Sequence, residues 1–124
     1  MQKEKLRPRD IQERTFAFAV RVVGLCQYLA RKPGVSRILG QQVLRAGTSI
    51  GANMEEAQAG QSRADFISKT AIALKESRET LYWLRLLGAA GVLPEARLSE
   101  INKEAEELMR ILGAIIVSAK IGKR

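Results

Sequence analysis

The stretch Arg45–Phe66, "RAGTSIGANMEEAQAGQSRADF", decides how this chain folds. Glycines at 47, 51 and 60, an asparagine and two adjacent glutamates give it the look of a loop. Its apolar spacing says otherwise. Leu39, Val43, Ala46, Ile50, Asn53/Met54 and Ala57 recur at steps of three and four, the period of an amphipathic helix. On a helical wheel Gly47 and Gly51 fall within about 20° of Gly40. A helix interior loses roughly 0.8–1 kcal/mol for each glycine relative to alanine. Three glycines in one line beside the apolar stripe therefore imply that a neighbouring helix, of this subunit or another, comes close. The stretch reads as a helix from about Ser36 to Ala59, capped by Ser36. The break is confined to Gly60–Ser62.

Working outward, three more helical periods appear. Toward the N-terminus, Ile11, Thr15, Phe18, Val22, Leu25 and Leu29 predict a helix from about Asp10 to Arg31, with Asp10 as N-cap and Pro33 ending it. After the break, Ser62 and Asp65 fit a capping-box layout. Phe66, Thr70, Ala73/Leu74, Ser77, Leu81 and Leu84 then predict a helix over 63–89, closed by Gly91 and Pro94. Leu98, Ile101, Ala105, Leu108, Leu112, Ile115/Ile116 and Ala119 predict a fourth over 95–121. No stretch alternates like a strand. Four long helices with short connections predict a single all-α domain over residues 1–124, an antiparallel up-down four-helix bundle.

Composition narrows the chemistry. The chain has 124 residues, 46% of them apolar, enough for a real core. It has no histidine, which removes the commonest general base and zinc ligand together. Its single cysteine, Cys26, forms no intrachain disulfide and fits a reducing compartment. The charged N-terminus does not read as a secretory signal. The longest uncharged apolar run, Ile111–Ala119, is short of the roughly 20 residues a membrane helix needs. A cytoplasmic protein with no membrane contact is expected.

The net charge is +8, and residues 1–9 and 120–124 each carry +3 of it. Up-down connectivity gathers both tails and the connection after the second helix at one pole. Lys3, Lys5, Arg7, Arg9, Arg63, Lys120, Lys123 and Arg124 then form a candidate nucleic-acid-binding set. Aromatic residues do not interleave with these basic ones, so electrostatic binding without sequence readout is expected.

The third helix carries a second apolar face of Ile72, Tyr82, Trp83 and Leu86. Phe16, Val20 and Val23 lie off the main stripe of the first helix. These are candidate homo-oligomer surfaces. Trp83 has a second reading, as a lid over a bundle edge in the monomer.

Other chemistry fares worse. "GTSIG" lacks the Lys-Ser/Thr ending of a phosphate loop and follows no strand. A membrane GxxxG motif is incompatible with Arg45, Glu55 and Glu56. Glu55, Glu56, Glu76 and Glu79 are the raw material of a carboxylate metal site. Without histidine, and with Lys69, Lys75 and Arg78 close in sequence, salt bridging is the simpler role. Asn53 is expected to bond to the next helix and fix register. Thr70 and Ser77 either partner it or bond back to their own helix. Cys26 reads as a buried apolar residue, because nothing is present to activate it.

The stretch Ser49–Leu87, about a third of the chain, resembles the 23S rRNA-intervening-sequence protein family. Its matches are Ser49, Ile50, Ala52, Asn53, Glu55, Glu56, Asp65, Phe66, Ala73, Leu74, Glu76, Glu79 and Leu84. Many relatives have Glu-Gly where this chain has Glu56-Ala57, so its second helix should run further toward Gly60. The resemblance implies an up-down four-helix bundle that assembles as a pentamer, with no catalytic role and no cofactor. It also implies kinship with accessory proteins of diversity-generating retroelements, which bind nucleic acid and a reverse transcriptase. The expectation is a non-enzymatic, oligomeric, nucleic-acid-binding bundle. The alternatives are a protein-interaction scaffold with no nucleic-acid role and, less favoured, a carboxylate metal-binding bundle.

Overall fold

The computed structural model describes residues 8–122, which form four helices: α1 Pro8–Leu29, α2 Val35–Gln58, α3 Arg63–Ala89 and α4 Glu95–Lys120. There is no strand among the described residues. Two caps differ from those the sequence suggested. The first helix is described from Pro8 onward, and Asp10 already lies within it instead of capping it. The cap of α2 is Gly34, which makes no side-chain cap bond. Ser36 instead turns back to α1, its hydroxyl donating to the Leu29 carbonyl at 3.0 Å. Arg37 donates from Nε and Nη2 to the Ala30 carbonyl at 3.3 and 3.1 Å. Two residues at the start of α2 thus bond to carbonyls at the end of α1: Ser36 adds to the Leu29 carbonyl, which also accepts from the Lys32 N–H at 3.3 Å, and Arg37 takes that of Ala30.

The remaining boundaries follow local chemistry. Ser62 caps α3, its hydroxyl accepting from the Asp65 N–H at 3.1 Å. The α3 end is a Schellman motif. Gly91, at φ +75°, donates to the Gly88 carbonyl at 3.1 Å, and Val92 donates to the Leu87 carbonyl at 2.9 Å. The left-handed residue there is glycine because a Cβ would strain it. Pro94 then starts the turn into α4.

The line Gly40, Gly47, Gly51 meets α1 of the same chain. A Cβ at these positions would lie 3.1 Å from Leu29 Cβ, 2.8 Å from Val22 Cγ2 and 3.3 Å from the Thr15 carbonyl oxygen. Residue numbers fall along α1 as they rise along α2. The Cys26 thiol tightens this seam by donating to the Gly40 carbonyl at 3.2 Å.

The core joins all four helices. Ile11, Phe18, Val22 and Leu29 of α1 pack with Val43, Ile50 and Met54 of α2, Leu84 and Leu87 of α3, and Leu98, Leu108 and Leu112 of α4. In α3 the buried row is Thr70, Ala73, Ser77, Thr80, Leu84 and Leu87; Leu81 and Phe66 are half-buried at its edge. In α1, Cys26 is buried and Leu25 half-buried, and Ile115 and Ile116 of α4 are likewise half-buried. Four hydroxyls sit in this core with their donors satisfied, because each bonds back to its own helix: Thr15 to Ile11, Thr70 to Phe66, Ser77 to Leu74 and Thr80 to Glu76, at 2.7–2.9 Å. Across the α1–α4 seam Arg14 grips Glu104 in a two-point pair, Nε–Oε2 2.7 Å and Nη2–Oε1 3.0 Å. That bond holds the Arg14 pKa above its ordinary value.

Candidate nucleic-acid and assembly surfaces

The basic pole is described in part. Lys3, Lys5, Arg7, Lys123, Arg124 and the side chain of Arg9 lie outside the described residues. Arg63 and Lys120 are exposed. The Arg63 guanidinium lies beside Gly122: a Cβ there would stand 3.9 Å from Nη1 and 4.0 Å from Nη2. The start of α3 and the end of α4 therefore share one end of the protein.

A second basic cluster escaped the sequence reading. Tyr28, in the last turn of α1, has the Arg97 guanidinium 4.6 Å from its ring centroid and that of Arg31 at 5.7 Å. These basic residues lie outside the candidate set at the pole, for which no interleaved aromatic residue was expected. Arg97 comes from α4, 69 positions away in the chain, so only folding brings it to the ring. The spacing of Tyr28 and Arg31, three apart and so neighbours on a helix face, was a usable signal.

The assembly candidates divide. Ile72 and Tyr82 are exposed, whereas Trp83 and Leu86 are half-buried. The Trp83 ring packs against the core cluster, touches Tyr82 edge-on at 5.1 Å, and donates its N–H to Glu79 Oε2 at 3.2 Å. Trp83 thus packs within the monomer while keeping part of its surface open. The more exposed faces are elsewhere. Phe16 and Val20 on α1 are 64% and 56% exposed, and Val117 and Ile121 at the end of α4 are equally open. A surface depression beside Phe16 is lined by Gln12, Glu13 and Glu55.

The carboxylates find cations instead of one another. Arg45 of α2 pairs with Glu79 and, at 3.6 Å, with Glu76, both on α3. The expected local partners Lys69, Lys75 and Arg78 lose to this cross-helix contact. Trp83 first, then Arg45, holds the Glu79 pKa below its ordinary value. Glu55 and Glu56 are exposed, and no group of three or more metal-binding side chains occurs among the described residues. Asn53 does not reach a neighbouring helix with its amide N–H, which donates to Ser49 of its own helix at 2.9 Å. Cys26 is buried, and burial pushes its thiol pKa up to about 11, far from a reactive thiolate. No described helix is long and apolar enough to cross a membrane.

An all-α four-helix protein whose polar groups serve packing and whose surface is basic and patched with apolar residues is the class that these features define. Comparison with known proteins makes it specific. The family model for the 23S rRNA-intervening sequence protein matches residues 8–114, and the chain belongs to that family. The chain is 42% identical to a protein of unknown function from the S23 ribosomal protein family of Bacteroides thetaiotaomicron. That crystal structure aligns with a TM-score of 0.82 over 90% of this chain and 98% of the other. No curated protein matches the chain.

Proposed function

We propose that this protein is a non-enzymatic adaptor: an antiparallel up-down bundle whose copies associate, and whose basic pole holds RNA or DNA electrostatically. The observation that carries the reading is the Arg63–Gly122 contact. It brings the start of α3 beside the segment leading to Lys123 and Arg124. The falling and rising residue numbers along α1 and α2 support the antiparallel path, in which α1 begins at this same end; Lys3, Lys5, Arg7 and Arg9 stand at or just before that beginning in the sequence. Net charge +8 supplies the attraction to a polyanion.

Self-association rests on exposed Phe16, Val20, Ile72 and Tyr82. Glu13 and Glu55 beside Phe16 give one apolar patch an acidic rim, which suits a second copy of a basic chain. A pentamer, with a reverse transcriptase as a partner class, is what the family resemblance adds; the charge pattern and short apolar runs add a cytoplasmic location. The same patch supports a second reading, a scaffold for another protein. A partner whose capture survives nuclease treatment would favour that scaffold.

The deciding experiment is binding of labelled RNA and DNA across a salt series. Affinity should fall steeply with salt. Replacing Lys3, Lys5, Arg7 and Arg9 with Gln should flatten the log–log slope by up to about 3 for a single strand, at roughly 0.7 for each phosphate no longer neutralised. Affinity that ignores these substitutions sinks the proposed pole.

A further inference from the structure

Between Glu13 and Glu55 the chain has no acidic residue and six basic ones. Three of the six, Arg31, Lys32 and Arg37, crowd the end of α1 and the start of α2. Folding adds Arg97 from the first turn of α4, which lies over the Tyr28 ring at 4.6 Å. Arg31 stands 5.7 Å from the same ring. Tyr28, Arg31, Lys32 and Arg97 are all exposed. Among the described residues, ion pairs engage Arg14, Arg45 and Arg110 but none of these four. The acids closest in sequence to Arg97 are Glu95, whose carboxylate lies against Gly88, and exposed Glu100. Positive charge therefore collects around an aromatic ring without a matching carboxylate contact.

We propose that Tyr28, Arg31 and Arg97 form a binding site for single-stranded nucleic acid, separate from the pole at Arg63. Arg97 lies beside the Gly88 end of α3, about 37 Å along that helix from Arg63 at 1.5 Å per residue. A base extends the Tyr–guanidinium stack, on the open part of the ring or on a guanidinium plane. The adjoining phosphates take the guanidinium N–H groups and Lys32. Duplex does not fit this chemistry, because its bases are already stacked on each other. The site goes beyond the electrostatic pole and does not depend on it.

The test is fluorescence anisotropy with the full chain, a labelled oligouridylate and a duplex of the same length, at low salt. Tyr28→Ala should weaken single-strand binding about tenfold, within the range of one lost base stack, and leave duplex binding within about twofold. Tyr28→Phe should bind like the wild type. Arg31→Gln changes an exposed side chain and should weaken single-strand binding about threefold; it carries the test if Tyr28→Ala disturbs the α1–α4 contact. Ultraviolet crosslinking of wild-type protein to the oligouridylate should map to the peptide holding Tyr28. Unchanged binding by both Tyr28→Ala and Arg31→Gln, or a crosslink confined to the tails, overturns the site. Repeating the series with Lys3, Lys5, Arg7 and Arg9 as Gln separates the two proposals. Loss with the tail variant alone leaves only the Arg63 pole, and loss with Tyr28→Ala alone leaves only this site.

Discussion

Val22 and Gly47 set the distance between α1 and α2: the two Val22 methyls lie 2.8 and 3.0 Å from where a Cβ on residue 47 would be. Val22 is fully buried and cannot turn aside. Gly47→Ala would gain up to about 1 kcal/mol of helix propensity and incur roughly 1–3 kcal/mol of overpacking. Gly24 provides the control, since nothing lies within 4 Å of its missing Cβ. Gly24→Ala should raise the melting temperature and Gly47→Ala should lower it, by about 4–8 °C if the net loss is near 1–2 kcal/mol. Equal gains from both would show that the helices are not in close contact there.

Glu79 links α2 to α3 through Arg45 and anchors the Trp83 indole at 3.2 Å. Its pKa is lowered from 4.5 in the folded protein, chiefly by the Trp83 hydrogen bond and then by Arg45. The unfolded chain therefore takes up this proton before the folded one does. The stabilisation is complete above the unfolded pKa and is lost as pH falls through the folded value. Glu79→Gln should melt at a lower temperature than wild type near neutral pH, with the two curves converging in acid. A constant gap down to strongly acid pH would mean that the carboxylate charge contributes nothing.

What the sequence revealed and what it hid divide along the range of the interactions. Helix α3 was legible to the residue at both ends, because Ser62, Asp65 and Gly91 act on their immediate neighbours. Its buried face was only partly legible. Thr80 is fully buried where Leu81 was expected, because a threonine bonded to its own Glu76 carbonyl presents little more than a methyl to the core. The glycine line was readable as close packing, although the wheel left open whether the visitor came from the same chain. Asn53 misled because its own helix offered a carbonyl 2.9 Å away. The Tyr28–Arg97 and Arg45–Glu79 contacts join residues far apart in the chain, and local periodicity carries no information about them.

Assembly should depend on the exposed faces and much less on the indole. Phe16→Glu and Tyr82→Glu place a charge on residues 64% and 54% exposed, where the monomer core is untouched. Each should shift the mass measured by light scattering toward smaller species while circular dichroism keeps its helical form. Trp83→Glu should also reduce the mass, but with a loss of monomer stability, because Trp83 packs against the core and bonds to Glu79. If neither Phe16→Glu nor Tyr82→Glu changes the mass, the copies do not meet through these faces.

Cys26 offers a readout of how tightly the α1–α2 seam is closed. Its thiol is buried, donates to the Gly40 carbonyl at 3.2 Å, and has a pKa raised by burial from 9.0 to about 11. A shift of about two units leaves roughly a hundredfold less thiolate at pH 8 than a free thiol has, before access is considered. Reaction with a disulfide reagent at that pH should be at least about a hundredfold slower than for the unfolded chain, and denaturant should restore the rate. The same shift sets a stability trend. The folded protein keeps the proton where the unfolded chain releases it, so this contribution is full below about pH 9 and is lost as pH rises toward 11. Cys26→Ala removes that alkaline component, and its melting curve should fall less than the wild type's over this interval. Native Cys26 reacting as fast as a free thiol would mean that α1 separates readily from Gly40, and the close packing along the glycine line would have to be abandoned.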